Sequence, residues 1–178
     1  MSTPTIDRRP LPDIRLRVPE HEDAHAWHRV FGDPEVMEFL GGPAELSAYE
    51  EMTARQRMHD AALGFCLWTV LDEDGEVLGF TGAQPWPEDR PWGPVGEIEI
   101  GWRLGRDAWG KGYATAAAEA AVARVRAAGP ARVVAVVDAR NLRSRAVAER
   151  LGMTLDRELT TPSGRAGVIY ALELSPAA

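Results

Sequence analysis

The sequence lacks most of what would mark a secreted, membrane-bound or nucleic-acid-binding protein. It has one cysteine, Cys66, in 178 residues, so no disulfide can close within the chain and no cysteine-based metal cluster can assemble. No apolar run approaches the ~20 residues that cross a bilayer. The N-terminal stretch MSTPTIDRRPLPDIRLRV has basic residues with no apolar segment behind them, so it does not read as a signal peptide. A soluble, cytoplasmic protein with no membrane partner is expected. Positive charge is also in deficit. Lys and Arg total 20 against 27 Asp and Glu, a net charge of −7, which disfavours a surface built to neutralise phosphates and so argues against a nucleic-acid partner. Lysine is nearly missing: Lys111 is the single one, and arginine supplies the other nineteen basic residues. Gly 17 and Pro 13 are too dilute for a low-complexity chain.

What remains is ordinary for a globular protein, 45% hydrophobic and 26% charged. The length suits a single domain over residues 1–178, with no repeat or linker dividing it. Ile14, Leu16 and Val18 alternate with Arg15 and Arg17, as in a half-buried strand. Helical patterns follow over Glu22 to Phe31, over the segment opened by Asp33-Pro34 and running through Leu40, and from Ser47 to about Ala62, where Ser47 and Glu50 have capping-box spacing. Phe65 to Leu71 and Val77 to Thr81 read as a hairpin around Asp72-Glu73-Asp74-Gly75. Pro85 to Pro94 is an aperiodic loop, and Glu97 to Leu104 a strand. Thr115 to Ala128 is an alanine-rich helix ended by Gly129-Pro130, Arg132 to Val137 a buried strand, and Asn141 the cap of a short helix to Leu151. Met153 to Leu159 and Gly167 to Leu174 close the chain as strands. Strand, helix, strand in the middle implies a parallel crossover between antiparallel hairpins. The predicted fold is therefore α/β, a mixed and mostly antiparallel sheet flanked by helices.

The stretch with chemistry in it runs from Gly96 to Thr115: a strand, a glycine loop, then a helix start. Loop N–H groups and the unpaired donors of a first helical turn make an anion cradle, and glycines allow close backbone approach. A diphosphate-bearing cofactor is the first expectation. Gly105-x4-Gly110-Lys111 is a near miss to a nucleotide-hydrolysing P-loop, with Gly112 where a magnesium-binding Ser or Thr belongs. Gly110-x-Gly112-x-x-Thr115 is a near miss to a dinucleotide fingerprint that lacks its third glycine. A plain turn fits the glycine pair as well.

The same stretch resembles the coenzyme A-binding motif of the GNAT superfamily of N-acetyltransferases. Its loop pattern, Gln/Arg-x-x-Gly-x-Gly/Ala, aligns with Trp109-Gly110-Lys111-Gly112-Tyr113-Ala114, with Trp109 in the Gln/Arg position. The Trp-Gly-x-Gly-Tyr-Ala-Thr form is similar to the branch that contains the ribosomal-protein N-terminal acetyltransferases. A second block, Asn141-x-x-Ser144 followed by Ala148-Glu149-Arg150-Leu151-Gly152-Met153, resembles the family's Asn-x-x-Ser…Glu-Lys-x-Gly-Phe signature. The resemblance implies the GNAT fold, with a parallel strand pair that splays at a bulge, here Gly101, and acetyl-coenzyme A as co-substrate without a metal. It implies that backbone of Trp102, Arg103 and Leu104 meets the pantetheine and thioester. The diphosphate would rest on Trp109, Gly110, Lys111, Gly112, Tyr113, Ala114 and Thr115, and Asn141 would bond the pantetheine arm. It also implies an amine acceptor, either a small molecule or a protein N-terminus, and a homodimer.

Acetylation of an amine needs the neutral nitrogen, whereas an ammonium titrates near ~10.4, so a base is required. Glu97 and Glu99 share a strand face. Glu99 aligns best with the family's strand glutamate and Glu97 is the second candidate; both also read as ordinary strand carboxylates. The family's tyrosine, seven residues after the Asn, falls on Ala148, which leaves Ser144 as the hydroxyl for the departing thiolate. Without that tyrosine, a catalytically silent acyl-coenzyme A-binding module remains an alternative. Cys66 reads as a buried structural thiol. His25 and His28 share a helix face, but no third metal ligand is evident, so His21, His25 and His28 read as surface residues. Trp27 is mainly a core residue that is also a candidate for the acceptor pocket, and of Trp86 and Trp92 in the long loop at least one is expected to touch substrate or a partner subunit.

Overall fold

The computed structural model of the chain describes residues 9–174. The first eight residues of the N-terminal stretch read above, and the last four of the predicted 1–178 domain, lie outside it. Seven strands and four helices alternate in the order β1 (Arg15–Arg17), α1 (Asp23–Val30), α2 (Leu46–Leu63), β2 (Leu67–Leu71), β3 (Val77–Pro85), β4 (Ile98–Leu104), α3 (Tyr113–Ala128), β5 (Arg132–Asp138), α4 (Leu142–Arg150), β6 (Thr154–Thr160) and β7 (Ala166–Glu173) among the described residues. The strands form one sheet in the order β1-β2-β3-β4-β5-β7-β6. Every neighbouring pair is antiparallel except β4 with β5. This is the predicted mixed, mostly antiparallel sheet flanked by helices.

Each sheet face is covered by a different pair of helices. On one face, the alanine-rich side of α3 buries Ala117, Ala121, Val122 and Val125 against Ile100, Leu104, Val133 and Ala135. Small side chains let the helix lie close to the strands, so one residue type serves both helix propensity and packing. On the other face, α1 and α2 bring Trp27, Phe31 and Tyr49 onto Leu67 and Phe80. Burial of one such aromatic side chain is worth about 1.5–3 kcal/mol. Within the sheet itself the central strands part. β4 and β5 pair only at Glu99 with Val134, and beyond that point the β5-side edge of β4 has no strand partner.

Several boundaries differ from the sequence expectation. The segment after Asp33-Pro34 is a chain of turns rather than a helix. The Asp33 carboxylate accepts from the Glu35 N–H, and Gly41-Gly42, both at positive φ, stop a run too short to repay nucleation. The Ser47–Glu50 capping box does not form. α2 starts at Leu46 with Glu45 as its cap residue and no side-chain cap bond, because Leu46 packs on the Trp27 cluster. β3 continues to Pro85, since β4 pairs with it along its whole length. For the same reason Gly101 is not a bulge: the register runs unbroken from Gly79 opposite Leu104 to Pro85 opposite Ile98. The strands splay where β4 and β5 stop pairing, while each keeps an unbroken register with its other neighbour.

Candidate active site

Two cavities open where the strands part. One, of about 870 Å³, lies between β4, the loop before α3 and the start of α4; the other, of about 790 Å³, lies over β4 and β5 beneath the loop after β3. Both are bordered by Phe39, Leu40, Trp102, Arg103, Asn141 and Ser144, so they are two arms of one cleft. The turns at residues 34–40, read as a helix from sequence, instead supply part of this shared border.

The first arm collects the glycine-loop residues. Trp102, Arg103, Leu104, Trp109, Gly110, Lys111, Gly112, Tyr113, Ala114, Thr115, Asn141 and Ser144 all line it. Gly110 and Gly112 have φ of +72° and +87°, the left-handed region that side chains disfavour. A Cβ at Gly112 would also sit 3.2 Å from Pro12. The first α-helical bond of α3 is that from Ala116 N–H to the Gly112 carbonyl, so the amides before it are the unpaired donors of a helix start. Lys111 is spent locally, its Nζ donating to the Asp107 carbonyl at 2.7 Å. Trp109 is fixed by donation from its Nε1 to the Leu104 carbonyl at 3.1 Å. Its ring lies 3.8 Å from the guanidinium of Arg143 and 4.9 Å from that of Arg106. Arg143 lines this arm and carries no motif that sequence reading could have flagged. Asn141 does cap α4, accepting from the Ser144 N–H at 3.2 Å, and it borders the cleft as well.

The second arm contains Glu99. Burial pushes its carboxyl up to about 7, against the opposing charges of Arg90 and Arg103 and a side-chain hydrogen bond from Gln84. Gln84 is its cross-strand partner. The direction of that bond is set further back. The Leu67 N–H donates to Gln56 Oε1 at 2.9 Å, and Gln56 Nε2 donates to Gln84 Oε1 at 2.8 Å, which leaves Gln84 its Nε2 for Glu99. Gln56 is fully buried. Neither glutamine stands out in the sequence, because their partnership depends on which residues face each other across β3 and β4.

Glu97 is placed differently from expectation. It lies one residue before β4, and Arg132 and Arg157 hold its carboxylate in ion pairs. Those arginines also reach Asp156 and Glu173, so Glu97 belongs to a charge network that ties β4 to β5, β6 and β7. It lines neither arm. Trp27 is corrected too: it is 0% exposed and packed on Phe31 and Phe80. Trp86 and Trp92 both line the second arm, in edge-to-face contact at 5.2 Å. Trp86 is buried, with Nε1 donating to the Arg90 carbonyl, so it builds the loop while Trp92 is the more open of the two. Cys66 is buried and its thiol is pushed up to about 12, chiefly by that burial. His21, His25 and His28 are exposed, and no group of three metal-ligating side chains occurs among the described residues.

A cleft running through a splayed parallel pair, with a glycine-loop helix start in one arm and a carboxyl titrating near neutrality in the other, suits transfer between an anionic carrier and a second substrate. Residues 13–154 match the model of the acetyltransferase (GNAT) domain. The uncharacterized protein YkkB of Bacillus subtilis (strain 168) is 32% identical over 145 residues, covering 79% of this chain and 81% of its own. The acetyltransferase from Agrobacterium tumefaciens str. C58 has a similar structure, with a TM-score of 0.73 and 29% identity over 97% of this chain and 96% of its own. The fold is also that of yncA from Salmonella typhimurium, solved with its cofactor acetyl-CoA, at a TM-score of 0.72 and 16% identity, covering 93% of this chain and 96% of its own.

Proposed function

The chain belongs to the acetyltransferase (GNAT) family, and from that premise we propose that it transfers the acetyl group of acetyl-coenzyme A to a primary amine by direct attack of the amine on the thioester. The observation that carries this is the pairing, in one cleft, of the Gly110–Thr115 helix start with Glu99. Acetyl-coenzyme A supplies an acyl group on a thiolate leaving group. The donors of residues 110–115 suit its diphosphate, whereas the Trp109 N–H, also expected there, is already given to the Arg106 carbonyl; the unpaired edge of β4 from Trp102 to Leu104 suits the amides of its pantetheine arm, and Asn141 borders both. No metal has a role in this reading.

Glu99 is the base. A carboxyl at about 7 is substantially ionised at neutral pH, yet it is a far better proton acceptor than an exposed glutamate. It takes the proton that the amine must lose before or during attack. The carbonyl oxygen that gains charge is offered backbone N–H groups near Trp102 and Arg103. Ser144, the hydroxyl of the shared border, serves the departing sulfur in place of a tyrosine, since Ala148 is fully buried in the core. The raised carboxyl also counts against a catalytically silent module, which has no use for it.

The Trp109–Thr115 motif and Ser144 support placement near the ribosomal-protein N-terminal acetyltransferase branch, and with it a cytoplasmic homodimer; light scattering tests the dimer. The reaction is tested by titrating the protein with acetyl-coenzyme A, ATP and NAD in a calorimeter while following thiol release in the presence of amines. Micromolar binding of the thioester alone, with amine-dependent thiol release, is expected. Preference for ATP or NAD contradicts the reading.

A further inference from the structure

Arg103 borders both arms of the cleft. It shares a face of β4 with Glu99 and Gly101, because alternate residues of a strand point the same way. The rings of Phe31 and Phe80 lie 5.2 and 5.0 Å from its guanidinium. Among the described residues it makes no ion pair, and its Nε is buried with no hydrogen-bond partner. The neighbouring Tyr49 hydroxyl is also buried and acts on Arg103 as a hydrogen-bonding neighbour, but it brings no negative charge. Burial lowers the Arg103 pKa, with Tyr49 and Glu99 acting in the opposite direction. Taking a guanidinium out of water without an anion costs more than two aromatic faces return.

The rest of the second arm is lined by charges of both signs, with Glu88, Asp89, Glu99 and Asp138 beside its arginines. Arg55, Arg90 and Arg165 line it, and none of them holds a carboxylate among the described residues. The acidic Asp138 of this arm is already taken by Arg140. Arg103 differs from Arg55 and Arg90, which are exposed, in lying against Phe31 and Phe80 with its Nε buried, so water does not replace its missing ion pair. There is also room between base and cation: a Cβ at Gly101 would meet nothing within 4 Å.

We infer that the acceptor is a small amine that also carries an anionic group, a carboxylate or a phosphate, which Arg103 binds while the amine faces Glu99. The inference rests on the N-acetyl transfer proposed above. A guanidinium offers parallel N–H donors that match either anion. The incoming group supplies the charge that Arg103 lacks, so Arg103 selects the acceptor and orients it along β4.

The test uses matched acceptors: phenylalanine against phenylalanine amide for the carboxylate, serine amide O-phosphate against serine amide for the phosphate, and a neutral peptide with a free N-terminus. Thiol release from acetyl-coenzyme A is measured for each and referred to the unprotonated amine. At least one anion-bearing acceptor should exceed its matched partner in kcat/KM by about tenfold or more, the scale of a lost charge-assisted bond. The pair that responds separates carboxylate from phosphate. Arg103→Gln should bring that pair within about twofold of each other, and Arg103→Lys should keep part of the preference. Calorimetry in parallel should show both variants still binding acetyl-coenzyme A. If Arg103→Gln does not fold, the wild-type pairs and Arg103→Lys decide. Equal rates within both pairs, preference for the neutral peptide, or no turnover of any anion-bearing acceptor by a protein that binds acetyl-coenzyme A each overturn the inference. A protein that binds no acetyl-coenzyme A fails at the transfer reading itself, and the calorimeter distinguishes that case.

Discussion

Glu97 and Glu99 are two glutamates two positions apart, and their surroundings give them opposite fates. Glu97 is neutralised by Arg132 and Arg157, while Glu99 meets burial before it meets charge. Glu99→Gln is expected to lower kcat/KM by roughly 10²–10³, as for loss of a general base. In the wild type the rate should rise with pH through about 7, and in the variant that rise should flatten. An unchanged pH–rate profile removes Glu99 from the role. The same shift has a stability consequence. The folded carboxyl holds its proton up to about 7, whereas the unfolded one releases it near 4.5. Stabilisation from this group is therefore complete below the unfolded value and lost as pH rises to the folded one. Denaturant midpoints between those two values should decline with pH in the wild type more than in Glu99→Gln. Glu99 and its expected role were legible from the Glu-Ile-Gly-Trp context; Gln84 and Gln56, which orient it, were not, since no local pattern encodes a cross-strand partner.

At the scale of elements, the helix start at Gly112 and the anchoring of α1 make separate demands. Gly112 occupies a left-handed conformation with Pro12 close by. Gly112→Asp should weaken acetyl-coenzyme A binding by at least about tenfold, through backbone strain and a negative charge beside the diphosphate site. Unaltered affinity in the calorimeter would contradict the cradle. α1 is secured differently. Asp23, 3% exposed, accepts from Arg17, from the Glu20 N–H at 2.9 Å and from Thr69 Oγ1 at 2.8 Å, so one carboxylate joins β1, α1 and β2. Asp23→Ala should cost about 3–5 kcal/mol in chemical denaturation, because it leaves Arg17 and Thr69 without their acceptor. A loss near zero would show that these groups find other partners. The elements themselves followed their sequence periods closely. The exceptions are the turns at residues 34–40, the start of α2 and the extension of β3 to Pro85, where tertiary contacts with the cleft, the Trp27 cluster and β4 override short local signals.

Across the whole molecule one core runs beneath α3 from β4 to β5, and the cleft opens where those two strands stop pairing. A ligand that binds the folded cleft and not the unfolded chain stabilises the fold. Acetyl-coenzyme A at a hundredfold excess over its Kd should stabilise the fold by about 2.7 kcal/mol. That corresponds to a rise in Tm of roughly 5–10 °C for a chain of this size. Scanning calorimetry checks it, and an equal rise with ATP would point to general anion binding instead. Composition, strand and helix periods, the glycine loop and the Asn141–Ser144 block lie in local spacing, so the sequence alone determined the fold class, the family resemblance and the candidate base. Which glutamate is buried, which tryptophan is core, that Gly101 opens space rather than kinking a strand, and that Arg103 stands unpaired facing the second arm depend on register and on the parting of β5 from β4. These are relations between residues distant in the chain, and only the tertiary structure decided them.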